Sequence, residues 1–472
     1  MKQGYNRPYP VSYHHLRESI TMNPEISSIA SPQRSFLPET ELVHFDPQTQ
    51  HLIDLENERQ SRKIILIASE SICPDPVREA MTCAFGNIYA EGYPSWRMTE
   101  ASNTNPLDFT HHLAYQRRYA DARYYKGCDY VNFVETLAQK RCATLFSQGG
   151  ADRSVPLSAD QIHVNVQALS GAAANNAVYQ ALVAPGDQVV GLHLNHGGHL
   201  THGSPANRSG KLYSVVPYTV DRKTGAFDYD AIAKILQTVR PRLFIAGASA
   251  YPWTIDWNRL RELCDSIDPR PIFLADIAHP AGLVAGGCFP NPVGIADVIT
   301  FTTHKTLCGP RGAAILTTDP ELAHQIDGGV FPGEQGGPHL HAITAKAVGF
   351  AYNATQDFQD LMHRVVDNTH RLADALQENG LSLVYGGTDT HLLLIDLTKI
   401  QTPTGHPLTG EIASRILDQV GLTCNKNAIP GDDNPAHPGA VRIGTTWATQ
   451  RGMGPEEMSQ LASIISRTLT NI

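Results

Sequence analysis

Residues 299–314 read I-T-F-T-T-H-K-T-L-C-G-P-R-G-A-A. The β-branched run Ile299 to Thr303 predicts a strand that stops at His304 and Lys305, because Gly309, Pro310 and Gly312 then force a turn. One lysine therefore stands at a strand end. Upstream, P-I-F-L-A (271–275) predicts a buried strand, and Asp276 follows it, so a carboxylate stands at a second strand end. In open α/β sheets, ligands bind outside those ends.

A lysine able to form a Schiff base, facing a carboxylate able to hold a pyridinium nitrogen, is the minimal equipment for pyridoxal phosphate (PLP). A solvated loop lysine and a helix-capping aspartate explain the same pair, so the rest of the chain has to decide.

From Gln161 onward, short β-rich runs at 162–166, 188–192, 243–246, 272–275 and 298–302 alternate with helices. That alternation predicts βαβ units and a mostly parallel sheet. Helices are expected at 46–62, 75–85, 132–147 and near 342–354. The expected division is an N-terminal arm (1–40, rich in Pro, Ser, His and Tyr), a large α/β domain (41–345) and a smaller C-terminal α+β domain (346–472). The small domain should hold strands at 392–396 and 422–425, Arg442 on a short strand, and a terminal amphipathic helix at 455–469.

Composition narrows the function classes. The 472 residues are 42% hydrophobic and 18% charged, the balance of a globular protein with ample core. A net charge of -9 argues against broad nucleic-acid binding, which needs a basic face to displace counterions. Eight cysteines without a C-x-x-C pair fit free thiols in a reducing cytosol better than disulfides or a zinc site. No run approaches 18 apolar residues and no signal-type apolar core opens the chain, so a soluble, cytoplasmic protein is expected, away from membranes.

Four further places carry candidate chemistry. Ser170-Gly171-Ala172 opens a helix after a strand, so free backbone N–H groups and the helix dipole can hold a phosphate; a ligand-free N-cap has the same sequence. Histidines 196, 199 and 202 cluster in a Gly-rich loop without an acidic or thiol ligand beside them. An imidazole stacked on a flat cofactor is therefore preferred to a metal, and no metal is expected. The glycines suit a loop that approaches such a ligand closely. Arg442, in A-V-R-I-G, matches a substrate carboxylate or an interdomain carboxylate. Glu91, in Y-A-E-G-Y-P, is a proton-transfer carboxylate or a lone surface glutamate.

Together these stretches resemble one family, the serine hydroxymethyltransferases, PLP enzymes of the aspartate-aminotransferase fold (fold type I). The resemblance rests on L-I-A-S-E (66–70), Y-A-E-G-Y-P (89–94), R-Y-Y-x-G-C (123–128), H-G-G-H-L-T-H-G-S-P (196–205), D-x-A-H-x-A-G-L-V-A (276–285), T-T-H-K-T-L-x-G-P-R-G (302–312), F-P-G-x-Q-G-G-P (331–338), G-G-T-D-x-H-L-L-L (386–394) and N-K-N-x-I-P (425–430). It runs in family order over about 45–470.

The resemblance implies reversible conversion of L-serine and tetrahydrofolate to glycine and 5,10-methylenetetrahydrofolate. Lys305 would carry PLP as its Schiff base, Asp276 would pair with the pyridine nitrogen, and His199 would stack on the ring. Ser249 and His279 would sit near the ring hydroxyl. Ser170, Gly171 and Ala172 would hold the phosphate, with Tyr89 and Gly337 reaching over from the second subunit of a dimer, or of a tetramer built from dimers. Ser69, Tyr125, His304 and Arg442 would hold the amino acid. Glu91 would move the proton, and Leu194, Gly198, Leu200, Tyr124 and Asn427 would contact folate.

This chain also departs from the family pattern. Ala172 replaces a second serine in the phosphate cup, where Leu169 and Ala173 are also atypical, and weaker cofactor binding is expected. Thr446-Trp447 replace Pro-Ala, which should bring a bulky ring near the carboxylate site. Residues 95–122 insert where the family has two residues, between two active-site loops, and an interface role is expected. Two rivals follow: a PLP aldolase or α-methylserine-type transferase acting on another β-hydroxy amino acid, and a catalytically silent scaffold.

Overall fold

The computed structural model describes residues 40–95, 98, 122–148, 157–221, 224–403, 405–432 and 437–471. The arm at 1–39 and most of the 95–122 insertion lie outside the described residues. The chain falls into two units, 1–62 and 63–472.

In the first unit, Leu42–Phe45 and Pro47–Arg62 are helical. The longer helix is held by i,i+3 and i,i+4 pairs such as Arg59–Glu56 and Gln60–Glu56, the spacing that brings side chains onto one face.

Among the described residues, the second unit contains three sheets. Its strands are β1 (Ile64–Ile65), β2 (His163–Asn165), β3 (Gln188–Leu192), β4 (Ser214–Tyr218), β5 (Leu243–Gly247), β6 (Ile272–Asp276), β7 (Val298–Thr302), β8 (Ala313–Thr317), β9 (Ser382–Leu383), β10 (Leu392–Asp396), β11 (Leu422–Thr423), β12 (Asn425–Asn427) and β13 (Ala440–Gly444). The main sheet has seven strands in the order β2-β8-β7-β6-β5-β3-β4. Neighbours from β7 through β4 are parallel, and β8 runs antiparallel to both β7 and β2, so the expected mostly parallel α/β sheet of fold type I is present. Every residue of β5, β7 and β8 is buried, as strands covered on both faces require.

Two main-sheet strands escape the sequence reading. Pro217 interrupts S-V-V-P-Y and cannot donate to a ladder; β4 tolerates it as the edge strand, paired among the described residues to β3. β8 begins directly after the turn at Gly309–Gly312, where the Gly and Pro signals mask the strand A-A-I-L-T.

The four-stranded sheet has the order β12-β13-β10-β9, all antiparallel, and Arg442 on β13 pairs in register with Leu394 and Asn425. β1 pairs with β11 in a small parallel sheet. Leu66, Leu393, Ile443 and Leu461 share a buried cluster that joins this region to the terminal helix Pro455–Thr470. Among the described residues, no helix is long and apolar enough to cross a membrane.

Candidate active site

The site lies where the parallel strands end. β7 delivers His304 and Lys305, β6 ends on Asp276 in register with Gly247 of β5, and the loop after β3 delivers His199. The helix Gly171–Leu182 starts against β7 so closely that a Cβ on Gly171 would meet Thr302 Cγ2 at 2.8 Å. Between them is a cavity of about 240 Å³, bordered by Ser170, His199, Ser249, Asp276, Lys305 and Arg311 among others. Lys305 is therefore not a solvated loop lysine, and burial lowers its ammonium to about 8 although Asp276 opposes the shift.

Asp276 is 6% exposed and anchored on both oxygens. Oδ2 accepts from Asn175 Nδ2 and pairs with His202 Nε2, each at 2.9 Å, and Oδ1 accepts from the backbone N–H of Ala278 at 3.0 Å. Burial by itself would raise this carboxyl, but the hydrogen bond and charge of His202, with His199 and Asn175, hold it below the usual carboxylate range. Asn175 is fixed in turn by Thr300 Oγ1, which donates to its Oδ1 at 2.7 Å. Asn175 and Thr201 are not among the expected site residues, and His202 is expected only as one member of the histidine cluster. His202 lies in the quoted His-rich motif and Asn175 three residues beyond Ala172, but only the fold places them beside Asp276.

His199, His202 and Asp276 bring ligand atoms within 4.8 Å of one another. The acidic group missing beside the histidines in sequence is thus supplied in space. Asp276 Oδ2 is already shared by Asn175 and His202, and His199 Nδ1 lies 2.7 Å from Thr201 Oγ1.

The loop glycines are required by the chain's own packing. Gly197 has φ +99° and its Cβ would meet Ala250 O at 2.7 Å, while a Cβ on Gly198 would meet Leu192 O at 2.0 Å. The chain's own backbone requires them.

At the anion cup, Ser170 caps the helix by accepting from Ala173 N at 3.2 Å, and the amides of Gly171 and Ala172 have no acceptor among the described residues. His279 is buried next to Ala278, which borders the main cavity, without lining that cavity itself. Its ring stacks on His391 with centroids 5.4 Å apart, beside a second cavity of about 20 Å³ that Asp276 also borders. Arg442, 9% exposed, donates to Ser249 O and, through Nε, to Asn425 Oδ1 at 3.3 Å. Ser69 follows Ala68, against which Gly444 packs, so L-I-A-S-E runs beside the strand that carries Arg442. Trp447 is buried in the helix Thr446–Gln450, and its indole Nε1 has no partner among the described residues.

Tyr89, Glu91, Tyr124, Tyr125 and Gly337 form a second group. Tyr89 and Tyr125 have ring centroids 5.6 Å apart and Tyr124 and Tyr125 5.3 Å apart, and the charge of Glu91 raises the Tyr125 hydroxyl. A Cβ on Gly337 would meet the Tyr89 ring at 2.9 Å, and one on Gly336 would lie in ordinary contact with the Glu91 carboxylate at 3.4 Å. Leu194 and Leu200 are exposed, Gly198 is buried, and Asn427 Nδ2 donates to Ala428 O at 2.7 Å.

Burial, aided by neighbouring cations, also sets the acid limit of the apoprotein. His199 and His304 are lowered to about 4, His391 to about 3, and His279 well below the ordinary imidazole value. The unfolded chain protonates these rings near 6.5 while the native chain does not, so their contribution is complete above about 6.5 and is lost as pH falls toward about 4. The urea midpoint of cofactor-free protein is expected to drop steadily between pH 7 and about 4.5. A flat midpoint over that range would contradict the burial of these rings.

A mostly parallel sheet with a lysine, an ionised aspartate and an anion cup gathered at its strand ends defines the fold-type I class of PLP-dependent transferases. The serine hydroxymethyltransferase family profile matches residues 42–120 and 110–465, and the chain belongs to that family. The two matched pieces share residues 110–120, inside the 95–122 segment that departs from the family pattern.

Proposed function

We propose that the protein interconverts L-serine and glycine, exchanging one carbon with tetrahydrofolate, and uses PLP held at Lys305. The observation that supports this most is the single cavity shared by Lys305, Asp276 and the free amides of Gly171 and Ala172. Its donor set fits the cofactor: two amides and Ser170 suit the phosphate, an anchored carboxylate suits the pyridine nitrogen, and His199 borders the space for the ring. When bound, PLP supplies an electron sink that lets a bond at the Cα of serine break.

The chain's own groups have distinct tasks in this reading. Arg442 orients the substrate carboxylate, with Ser69, His304 and Tyr125 holding the rest of the amino acid. Its fork is pre-set by Ser249 O and Asn425, which reduces the ordering left for binding. Ser249 and His279 stand on the ring-hydroxyl side. Glu91 takes and returns the hydroxyl proton of serine. Leu194, Gly198, Leu200, Tyr124 and Asn427 receive the folate. Tyr89, Glu91, Tyr124, Tyr125 and Gly337 cluster apart from the cavity lining, which supports a dimer in which this group serves the partner's site. With this reading goes the division into arm (1–40), large domain (41–345) and small domain (346–472), in a cytoplasmic enzyme.

Turnover of L-serine with and without tetrahydrofolate, in protein saturated with PLP, tests the reading. Glycine formation that requires folate agrees with it; glycine formation that ignores folate favours the aldolase-type rival, and a protein that takes up no PLP favours the scaffold. Ala172→Ser is expected to tighten PLP binding by about tenfold, the value of one charge-assisted hydrogen bond. Equal affinity of the two proteins in a PLP titration would show that the cup does not miss that hydroxyl.

A further inference from the structure

Arg123 and Glu135 form an ion pair at 2.5 Å with both side chains fully buried, away from the cavity. The helix Asp129–Ser147 presents Asn132 and Glu135 three residues apart on one face, and Arg123 reaches both, donating from Nε to Asn132 Oδ1 at 2.6 Å. Its Nη1 donates to Ala90 O at 2.6 Å and Gly92 O at 3.0 Å, the carbonyls on either side of Glu91. The backbone N–H of Tyr124 donates to Glu91 O at 3.0 Å. The peptide on both sides of Glu91 is thus gripped by one guanidinium.

The network continues toward the anion cup. Gln167 Nε2 donates to Glu135 Oε1 at 2.8 Å and to Gly92 O at 2.9 Å. Gln335 Nε2 donates to Gln167 O at 2.9 Å, while its Oε1 accepts from Leu169 N at 3.0 Å, one residue before Ser170. Gln335 also precedes Gly336 and Gly337, which adjoin Glu91 and Tyr89. Lys346 pins the same segment from below, its Nζ donating to Val166 O, Ala168 O and Ala313 O at 2.6 to 3.1 Å. Apolar packing would fill this volume without fixing two loops in one relation, whereas these directed bonds specify one arrangement, even with Gln167 Oε1 left without a partner among the described residues.

We infer that Arg123, Glu135, Gln167 and Gln335 are positioning residues that lock the Glu91 loop to the phosphate cup, so that filling the cup and aiming the Glu91 carboxylate are coupled. This rests on the proton-transfer role proposed for Glu91. In a dimer whose Glu91 serves the partner's site, the lock ties one subunit's cofactor to the other's proton transfer.

Gln167→Met and Gln335→Met remove the donors with little change in volume, and each is compared with Glu91→Gln in the full-length, PLP-loaded protein, with the thermal midpoint recorded. Gln167→Met is expected to lower kcat by about 10- to 100-fold at unchanged KM for serine, the scale of a small misplacement of a reacting group. In the Glu91→Gln background it should add less than about twofold, because both changes act through one carboxylate. Gln335→Met should weaken PLP binding and, at saturating PLP, still lower kcat.

Additive losses for Gln167→Met and Glu91→Gln would overturn the lock while leaving the Glu91 role intact. So would a Gln335→Met that weakens PLP but turns over normally once saturated. A Glu91→Gln protein with full folate-dependent turnover would instead remove the role the lock serves, and both readings would fall.

Discussion

Lys305→Ala is expected to lower serine turnover by about 10³-fold or more, the scale seen when a covalently acting side chain is removed from a preorganised site. Lys305 follows the fully buried strand β7, and it borders the same cavity as Ser170, Gly171 and Ala172. Burial brings its ammonium to about 8, so a substantial neutral fraction is present near physiological pH, the form that attaches to an aldehyde. Alanine removes the amine but leaves Ser170, Asp276 and His199 in place, so PLP should still bind by its phosphate and ring. The variant should therefore retain PLP that is released on denaturation without reduction, while wild type keeps it covalently after borohydride. Turnover within about tenfold of wild type would place the attachment elsewhere.

Asp276→Asn is expected to cost about 10²- to 10³-fold in kcat, comparable to removing one preorganised charge partner from a reacting centre. Asp276 Oδ2 receives donors from Asn175 and His202 and Oδ1 receives the Ala278 N–H, so three donors converge on two acceptor atoms. An asparagine can accept on one side only; its amide nitrogen must then face a donor on the other. The substitution removes the charge that holds a pyridinium proton and introduces a donor–donor conflict in a site that is 6% exposed. Loss of kcat with the fold intact by circular dichroism is the predicted pattern. Unchanged kcat would show that this carboxylate does not face the reacting ring.

The strand ends are legible in the sequence because β-branched runs stop at Gly and Pro, and the two charged residues stand at those stops. Arg442 and the Ser170 cup are legible for the same local reason. The partners that anchor the candidate site are not, because they lie far apart in the chain: Asn175 bonds Asp276 across 101 residues and Gln335 bonds Gln167 across 168. His391, stacked on His279 from the four-stranded sheet, is likewise visible only once the fold is closed. The loop glycines at 197 and 198 show the opposite failure. Their presence is obvious, but the backbone crowding that requires them is visible only in the fold.

The most direct measurement follows the carbon itself. PLP-loaded protein is given L-serine labelled with carbon-13 at its side-chain carbon, together with tetrahydrofolate, and the label is traced by NMR. The predicted result is a labelled methylene group on the folate, with one unlabelled glycine formed for each. Glycine accompanied by free labelled formaldehyde at the same rate with or without folate, or no transfer at all from protein that holds PLP, would contradict the hydroxymethyltransferase reading.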